Sequence, residues 1–247
     1  CTASGLGTVA DATVDSESTM TGDDISYGFN FGINYQPTPE LRLGLAYRSS
    51  ISHNLKGTAD FELSAPLQTL FTTYSVPVFQ DVSATAGVDL PETLMFDLFY
   101  KATPDLSLTG GITWIRWQRF DQLLVKFDNA QPDSVTPENW KNTLRIAIGG
   151  DYRLNDQWTI RAGVAYDKSP VDGVDERTAR IPDSSRRWYS MGAGYRFASD
   201  WQLDVGYSHL VPCASAIDNR DVSFGHLLKG DYEGGVDIFS VQLIGYL

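Results

Sequence analysis

Pairs of alternating apolar and polar stretches recur along this chain, and the connections between them have two very different lengths. Four connections are tight turns rich in Pro, Asp and Asn: Pro37–Glu40, Thr103–Asp105, Asn155–Gln157 and Ser199–Asp200. Four others are long and polar: 51–91, 128–142, 168–186 and 211–225. If the strands run up and down, all tight turns lie at one edge of the sheet and all long loops at the other. With strands of about ten residues, this asymmetry is typical of an outer-membrane β-barrel.

The two faces of the predicted strands differ in chemistry. In the segment 158–167, the apolar side chains are Trp158, Ile160, Ala162, Val164 and Tyr166. The residues between them are Thr159, Arg161, Gly163, Ala165 and Asp167, which are mostly polar or small. A period of two places the two sets on opposite faces of a sheet.

The alternation alone allows two interpretations. In a soluble β-sandwich the apolar face forms the core, and the polar face contacts water. In a membrane barrel the apolar face contacts lipid, and the polar face lines the lumen. Three features favour the barrel: aromatic residues near strand ends, such as Tyr35, Trp158 and Trp201; a polar face that combines glycine with Arg and Asp; and loop lengths that differ between the two edges.

The pattern predicts an all-β, antiparallel up-and-down transmembrane β-barrel segment. Its nine strands are expected near 26–36, 41–51, 93–101, 106–127, 142–154, 158–167, 187–197, 201–211 and 226–247. Because single-chain bacterial barrels usually have an even number of strands, we expect these nine to be the C-terminal part of a larger barrel. Residues 1–25 are then the end of an extracellular loop, and 26–247 belong to the barrel.

Composition excludes several classes of function. A net charge of -12 over 247 residues argues against nucleic-acid binding, which needs a basic surface. No apolar run of about 18 residues could span a membrane as a helix. The histidines (His53, His209 and His226) lack a neighbouring nucleophile motif, and no His/Cys cluster has metal-ligand spacing. We therefore expect no enzymatic activity, no metal and no cofactor.

The two cysteines, Cys1 and Cys213, both fall in predicted extracellular loops. An oxidising compartment permits a disulfide between them, but the sequence leaves the pairing open.

Several motifs together resemble the FadL-type outer-membrane transporters of long-chain fatty acids and other hydrophobic compounds. The most specific combination is Ser169-Pro170-Val171 followed by Ile181-Pro182-Asp183, Arg186 and Trp188. Supporting matches are Tyr47-Arg48-Ser49, Leu90-Pro91-Glu92 and the segment 144–149. The likeness runs from about Ser26 to the C-terminus.

This resemblance implies a fourteen-stranded barrel with an N-terminal hatch and lateral release of substrate through the wall. It also implies location in the outer membrane of a Gram-negative bacterium and contact with membrane lipid and lipopolysaccharide. On this resemblance the protein is expected to be a monomer that takes up hydrophobic small molecules. One position departs from the family: Thr136 aligns with a lysine of the members that bind fatty acids. Either Lys126 or Lys141 could substitute for that lysine; without such a substitution, the departure favours a neutral hydrophobic substrate.

Aromatic side chains are the candidates for binding such a substrate. The alternation fails after Trp114, because Ile115 and Trp117 fall on the face that should be polar. A bulge could restore the phase, or these side chains could form an apolar luminal pocket. The candidate ligand-binding residues are Trp114, Trp117, Phe120, Trp188, Phe71 and Phe79. Phe71 and Phe79 belong to an apolar run in a loop, which could dock substrate or pack over the barrel mouth.

Charged side chains on the polar face are expected to form a network in the lumen. Its members are Arg42, Arg48, Asp97, Arg145, Asp151, Arg161, Asp167, Arg186 and Asp204. Because a buried charge costs several kcal/mol unless it is matched, we expect most of these arginines to be paired.

Two other functions remain open from the sequence. A general or structural porin would pass small hydrophilic solutes through a polar lumen and would have no defined ligand pocket. A soluble β-protein would use its apolar face as a core.

Overall fold

The computed structural model describes residues 16–75, 79–179, 181–198, 201–213, 215–221 and 226–245. Within them the strands are β1 Glu17–Asp23, β2 Asn30–Tyr35, β3 Leu41–Arg48, β4 Ile51–Glu62, β5 Val82–Leu90, β6 Thr93–Lys101, β7 Leu106–Ile115, β8 Gln122–Phe127, β9 Ser134–Pro137, β10 Thr143–Arg153, β11 Trp158–Asp167, β12 Arg186–Ala198, β13 Trp201–Pro212, β14 Ser215–Asp221, β15 His226–Tyr232 and β16 Val236–Gly245. An α-helix, α1, spans Ala65–Thr73, and a 3-10 helix spans Trp117–Arg119. None of the helices in the described residues is long and apolar enough to cross a membrane.

The chain divides into two compact units, which we describe separately. The larger unit consists of residues 28–50, 91–121 and 138–247. Its main element is a nine-stranded antiparallel sheet in the order β16-β13-β12-β11-β10-β7-β6-β3-β2. A two-stranded hairpin of β14 and β15 accompanies it. The nine strands correspond to the nine that the alternation predicts, so the predicted all-β antiparallel class is confirmed.

Element boundaries differ from the prediction where a polar or glycine-rich break interrupts the pattern. The predicted strand 106–127 is divided into β7, the 3-10 helix and β8, because Arg116 and Arg119 turn toward Glu92. The predicted strand 226–247 becomes β15 and β16, which are separated by Glu233-Gly234-Gly235. The long loops also contain strands of their own, such as β4 and β5. The predicted turn at Ser199–Asp200 lies outside the described residues.

The apolar face of the nine-stranded sheet is not covered by a second layer within its unit. Ile148 lies opposite Val164 of the neighbouring strand, and their side chains are 63% and 49% exposed. Met191 on β12 is also 63% exposed. A soluble sandwich would bury such a face, so this exposure argues against the sandwich interpretation.

Buried side chains of this unit collect instead near the long-loop edge of the sheet. Among the described residues they are Ser49, Glu92, Glu138, Trp140, Thr143, Ser169, Val171, Arg177, Leu210, Ser215 and Ile217. Most of these residues belong to connections or to strand ends. The core of the larger unit is therefore a packed layer of loops at one end of the sheet.

The β14–β15 hairpin is fixed to the connection that follows β11. The Asp218 N–H donates to the Val174 carbonyl over 2.8 Å. Arg177, which is 7% exposed, donates to the carbonyls of Asp183 and Ala216. These bonds satisfy backbone carbonyls that no strand ladder uses, and they make this long connection an ordered structure.

The smaller unit consists of residues 1–27, 51–90 and 122–137. Its sheet has five antiparallel strands in the order β1-β4-β5-β8-β9, and α1 connects β4 to β5. Pro66 in the first turn of α1 suits a helix start, where its missing N–H costs nothing. The described residues of α1 include no buried side chain. The predicted division between residues 25 and 26 remains a prediction.

Candidate functional site

The nine predicted lumen charges lie on one face of the nine-stranded sheet. Strand register shows this directly: Asp151 is opposite Arg161, and Asp167 lies between Arg145 and Arg186 on its two neighbours. Arg42 and Arg48 share this face with Asp97 by the pairing of β3 with β6. We call it the inner face, since the opposite face carries the exposed apolar side chains.

Pairing on the inner face is only partial. Arg161 Nη1 is 2.7 Å from Asp204 Oδ1, and Arg186 Nε is 3.1 Å from Asp167 Oδ2. Arg186 also approaches Asp183 Oδ1 at 3.4 Å. In the described part of the chain, Arg42, Arg48 and Arg145 have no carboxylate within 4.0 Å. The expectation that most inner-face arginines are paired with carboxylates is therefore wrong for these three.

Two of these three arginines are stacked on aromatic rings instead. The Arg42 guanidinium carbon lies 4.9 Å from the centre of the Phe99 ring, and that of Arg145 lies 5.2 Å from the centre of the Trp188 ring. Such contacts contribute about 0.5–2 kcal/mol, depending on how far the cation is desolvated. Arg145 Nε and Trp188 Nε1 are buried and have no hydrogen-bond partner among the described residues.

Both stacked pairs line one groove on the inner face. Its volume is about 510 Å³, which is within the range of about 300–1,000 Å³ typical of small-molecule sites. The floor consists of small residues, among them Gly44, Gly111, Ala147, Gly149 and Ala165. A Cβ at position 111 would lie 2.7 Å from Asp97 Oδ1, so glycine is needed for the present position of that carboxylate.

A second hollow of about 480 Å³ adjoins the groove through shared residues such as Thr109 and Ser190. It contains Asp151 and the Arg161–Asp204 ion pair. The inner face therefore has two neighbouring hollows. One contains the Arg161–Asp204 ion pair, and the other contains Arg42 and Arg145, which stack on aromatic rings and form no ion pair with a described carboxylate.

The six candidate ligand-binding residues do not form one site. Trp188 lines the groove. Trp114 lies opposite Leu94 and Leu144, so it is on the apolar face and cannot line the groove. The prediction for Trp114 is therefore wrong, because the alternation continues through residue 114 and breaks only at residue 116.

Trp117 and Phe120 both contact a third aromatic residue, Trp140. The Trp140 ring centre lies 4.9 Å from that of Trp117 and 4.8 Å from that of Phe120, both in edge-to-face contacts. Trp140 is 9% exposed, and its Nε1 donates to Glu138 Oε2 over 3.0 Å. Sequence analysis missed Trp140, although a tryptophan between two polar loop segments could have been recognised as an anchor.

A buried glutamate holds the backbone that carries Trp117. Glu92 is 6% exposed and accepts hydrogen bonds from Arg116 and Arg119, which flank Trp117 in sequence. The Arg116 N–H also donates to the Glu92 carbonyl over 3.1 Å. Burial alone would raise the pKa of Glu92, but the bonds from Arg119 and Arg116 outweigh it and lower the pKa from 4.5 to about 2.

In the smaller unit, Phe71 and Phe79 belong to a cluster of four phenylalanines. Their ring centres lie 5.7 Å apart, and Phe61 contacts Phe79 at 5.6 Å and Phe127 at 6.1 Å. Phe79 remains 47% exposed. The predicted apolar run therefore packs in part and also leaves apolar surface exposed. Its residues Val76 and Val78 lie outside the described residues.

The motif residues that carry the family resemblance mainly hold the chain in place. Ser169 Oγ donates to Asp183 Oδ2 over 2.8 Å and accepts from the Val171 N–H. Asp183 in turn approaches Arg186, which also binds Asp167. This chain of contacts fixes the start of β12, two residues before Trp188.

The side chains of His53 and His209 each lie within hydrogen-bonding distance of an aspartate. His53 Nδ1 is 3.1 Å from Asp24 Oδ2, which also accepts from the Ser26 hydroxyl at 2.5 Å. His53 and Ser26 both contact Asp24 Oδ2, and the Ser26 hydroxyl donates to this carboxylate rather than to the imidazole. The Ser26 bond lowers the pKa of Asp24; burial opposes this shift, and Asn54 and His53 reinforce it.

Other predictions on reactive groups remain untested. His209 Nδ1 is 2.7 Å from Asp237 Oδ1, and the side chain of His226 lies outside the described residues. The described residues include no group of three or more His, Cys, Asp or Glu side chains placed to hold a metal. Cys213 is half-buried and has no disulfide partner among the described residues. Cys1 lies outside them, so the disulfide stays a prediction.

Comparison with known proteins points to one family. The model of the outer membrane protein transport protein family (OMPP1/FadL/TodX) matches residues 4–244. A long-chain fatty acid transport protein of Escherichia coli O6:H1 is 31% identical over 195 residues, which cover 77% of this chain and 43% of that protein. The chain spans about half the length of the curated relatives it matches.

Solved structures support the same assignment. The crystal structure of a Pseudomonas aeruginosa FadL homologue has a TM-score of 0.80 and 31% identity, covering 88% of this chain and 52% of that one. The toluene transporter TbuX of Ralstonia pickettii has a TM-score of 0.60 at 18% identity, covering 94% of this chain and 51% of that one. The second likeness is one of fold alone.

Proposed function

Because this chain belongs to the OMPP1/FadL/TodX family of outer membrane transport proteins, we propose that it carries hydrophobic molecules passively across the outer membrane. The substrates are long-chain fatty acids or hydrocarbons, and they pass through a partly apolar site inside the barrel before lateral release through its wall. The family is one of transport proteins, in agreement with the prediction that the chain is not an enzyme.

The observation that carries this proposal is the division of the nine-stranded sheet into two chemically different faces. Large apolar side chains such as Ile148 and Met191 stay exposed on one face, while the inner face holds ion pairs and the groove. An apolar band of this kind is stable in contact with acyl chains and unfavourable in contact with water. The apolar face of the sheet is therefore suited to contact with lipid, and the groove lies on the opposite, inner face.

Three features are candidates for contact with the substrate, one in the smaller unit and two in the larger unit. In the smaller unit, the exposed part of the phenylalanine cluster, with Phe71 and Phe79, gives an apolar docking surface. In the larger unit, the Trp117–Trp140–Phe120 cluster lies at the long-loop edge of the sheet. The groove with Trp188 lies on the inner face of the same sheet. Lateral release is supported only by the family resemblance.

Uptake by the full-length protein tests the proposal. We expect Trp188→Ala to lower uptake of labelled oleate and of a labelled neutral aromatic hydrocarbon. Trp117→Ala should lower both as well, through the aromatic cluster. Trp201→Ala is the matched control, since Trp201 is 44% exposed on the apolar face and should leave both fluxes unchanged. Unchanged uptake in both test variants would show that the pocket assignment is wrong.

A conductance measurement separates this proposal from the porin alternative. A transporter with a ligand site should show little ion current in a planar bilayer, and it should bind hydrophobic ligands at saturable sites. A large, stable ion conductance together with no saturable binding would support the porin.

A further inference from the structure

Two consecutive arginines at the start of β12 have opposite surroundings. Arg186, on the inner face, is paired with Asp167 at 3.1 Å. Arg187 is on the apolar face, where the residues opposite it on the two neighbouring strands are Tyr166 and Val211. The Arg187 side chain is exposed, and it forms no ion pair with a described residue.

Arg187 is an exception on the apolar face of the nine-stranded sheet. Within the described strands of this sheet, the other acidic or basic side chains that register places on this face are His209 and Asp237. These two contact each other at 2.7 Å, and the Tyr207 hydroxyl also donates to Asp237. Arg187 is therefore a charged side chain of the lipid-facing side whose partner has to come from its surroundings. The cost of such a charge is highest at the middle of a bilayer and small near its surface.

Arg187 lies at the level where lipid head groups begin. On β11, the side chains of the apolar face run from Trp158 at the short-turn end to Tyr166 at the long-loop end. With about 3.3 Å per residue, these two positions are roughly 26 Å apart along the strand. For a strand tilted by about 40°, the separation along the barrel axis is roughly 20 Å, close to the apolar band of about 25 Å that such barrels present to lipid. With Trp158 near one border of this band, Tyr166 and Arg187 are near the other.

A second cation lies beside Arg187. The Lys168 N–H donates to the Leu144 carbonyl over 3.3 Å, so the pairing of β10 with β11 continues one residue beyond β11. Lys168 therefore shares the face of Tyr166, two residues earlier. Because Arg187 is directly opposite Tyr166, the Cα atoms of Lys168 and Arg187 are about 7–8 Å apart. Lys168 is also exposed and without an ion pair among the described residues.

Two tyrosines border the pair of cations. Tyr166 is 45% exposed, and Tyr189, two residues after Arg187 on the same face, is 48% exposed. Aromatic rings of this kind lie at the border between acyl chains and head groups, with the polar end toward water. Their hydroxyl groups can donate to an anionic head group that the cations attract.

This combination matches the phosphate of a glycolipid. The long loops of bacterial barrels face the cell exterior, and the lipid of that leaflet is lipopolysaccharide, whose lipid A anchor carries phosphate groups above its acyl chains. A guanidinium group binds phosphate with two parallel N–H bonds, and a lysine binds it as a point charge. Since the protein has a net charge of -12, its overall field repels anionic lipid, and attraction depends on a local cluster of cations.

We propose that Lys168, Arg187, Tyr166 and Tyr189 form a binding site for a lipid A phosphate on the lipid-facing side of the barrel. The site lies on the opposite face of the sheet from the groove, and it goes beyond the proposed transport function. A glycolipid held there fixes β11 and β12 at a defined depth in the outer leaflet.

Binding of two matched glycolipids to the purified full-length protein in detergent tests the inference. Lipid A and chemically dephosphorylated lipid A have the same acyl chains and differ in their phosphates. By native mass spectrometry, we expect the wild type to bind lipid A at least about tenfold more tightly. Arg187→Gln should weaken lipid A binding by about tenfold and Lys168→Gln by about threefold, and neither should change binding of the dephosphorylated lipid.

Two further variants separate a local site from general charge and from folding. Arg187→Lys keeps the positive charge and should bind lipid A more tightly than Arg187→Gln does. Lys229→Gln is the matched control, because Lys229 is 69% exposed but is paired with Asp218 at 3.3 Å in the β14–β15 hairpin. It changes the net charge by the same amount and should bind both lipids as the wild type does. If Arg187→Gln lacks the strand signal in circular dichroism, Lys168→Gln takes its place in the comparison.

Three results would overturn the inference. The first is equal binding of the two glycolipids by the wild type, and the second is an equal loss in Lys229→Gln and Arg187→Gln. The third is binding of phosphatidylglycerol as tight as that of lipid A, since a lipid with one phosphodiester charge should bind less tightly. None of these results changes the uptake of hydrophobic compounds, so the proposed function is tested separately.

Discussion

Arg161 of β11 and Asp204 of β13 form an ion pair of 2.7 Å although β12 runs between their strands. The Arg161 side chain crosses β12 beside Gly192 and Gly194. A Cβ at position 194 would lie 3.1 Å from Arg161 Nη1 and would collide with Asp204 Oδ1. The absence of a side chain at Gly194 therefore makes this pair possible.

Adding one methyl group at Gly194 should break this arrangement. We expect Gly194→Ala to lower the free energy of unfolding by about 0.5–1 kcal/mol, because the new Cβ displaces the Asp204 carboxylate from a part-exposed ion pair. Gly110→Ala is the control, since a Cβ there would approach only the Ala147 carbonyl, at 3.8 Å. Urea unfolding in lipid vesicles measures both. Equal effects of the two substitutions would contradict the role given to Gly194.

Neutralising Glu92 should loosen the chain around Trp117. Glu92→Gln removes the negative charge that Arg116 and Arg119 bind. We expect this substitution to lower the free energy of unfolding by about 1–3 kcal/mol at neutral pH. Because the pKa of folded Glu92 is lowered to about 2, its contribution is full above the ordinary value of 4.5 and is lost as the pH falls toward 2. The difference in unfolding free energy between wild type and variant should therefore shrink from pH 5 to pH 2. A constant difference over this range would show that the charge is not the cause.

Removing Trp140 should disrupt the aromatic cluster more than removing either of its neighbours. We expect Trp140→Ala to lower the free energy of unfolding by about 3–5 kcal/mol, because the Trp140 side chain is buried and contacts both Trp117 and Phe120. Trp140→Phe keeps a ring but loses the hydrogen bond to Glu138, and it should cost less. Near-ultraviolet circular dichroism, with unfolding curves, reports on both changes. Trp201→Phe, on the exposed apolar face, serves as the reference.

A charge on the apolar face should be costly only in a bilayer. Ile148 is at the middle of β10, and Ile148→Arg should lower stability in phosphatidylcholine vesicles by about 2–4 kcal/mol. Ser107→Arg adds the same side chain on the inner face, opposite Asp151, and should have a small effect. If Ile148→Arg and Ser107→Arg lower the free energy of unfolding in vesicles by the same amount, the assignment of the lipid-facing side is wrong.

Strand positions and faces could be predicted because alternation is a local property. A residue in an extended strand faces the side opposite its neighbour whatever the partner strand is, so the inner-face position of Arg161 and Asp204 follows from the sequence. The same rule places Trp114 on the apolar face, opposite Leu94 and Leu144, so Trp114 does not share a luminal pocket with Trp117. The break at Arg116 was visible as a fault in the pattern, but its cause, Glu92, lies 24 residues earlier.

The partners of individual side chains could not be predicted from local sequence patterns. Nothing in the spacing of Arg145 and Trp188 predicts that they stack, since the contact depends on how β10, β11 and β12 are arranged side by side. Trp140 was missed for the same reason: its two aromatic neighbours come from a different connection. Register brings these groups together only after the sheet has formed.

The sequence by itself determined the number of main strands, the chemistry of their two faces and the family, because these depend on period, loop length and motif. Only the tertiary structure decided which arginines are neutralised by carboxylates and which remain available over aromatic rings. The physical reason is that an ion pair or a ring contact forms only when the two groups lie within a few ångströms of each other. Strand order, register and the space beside glycines decide which side chains come that close.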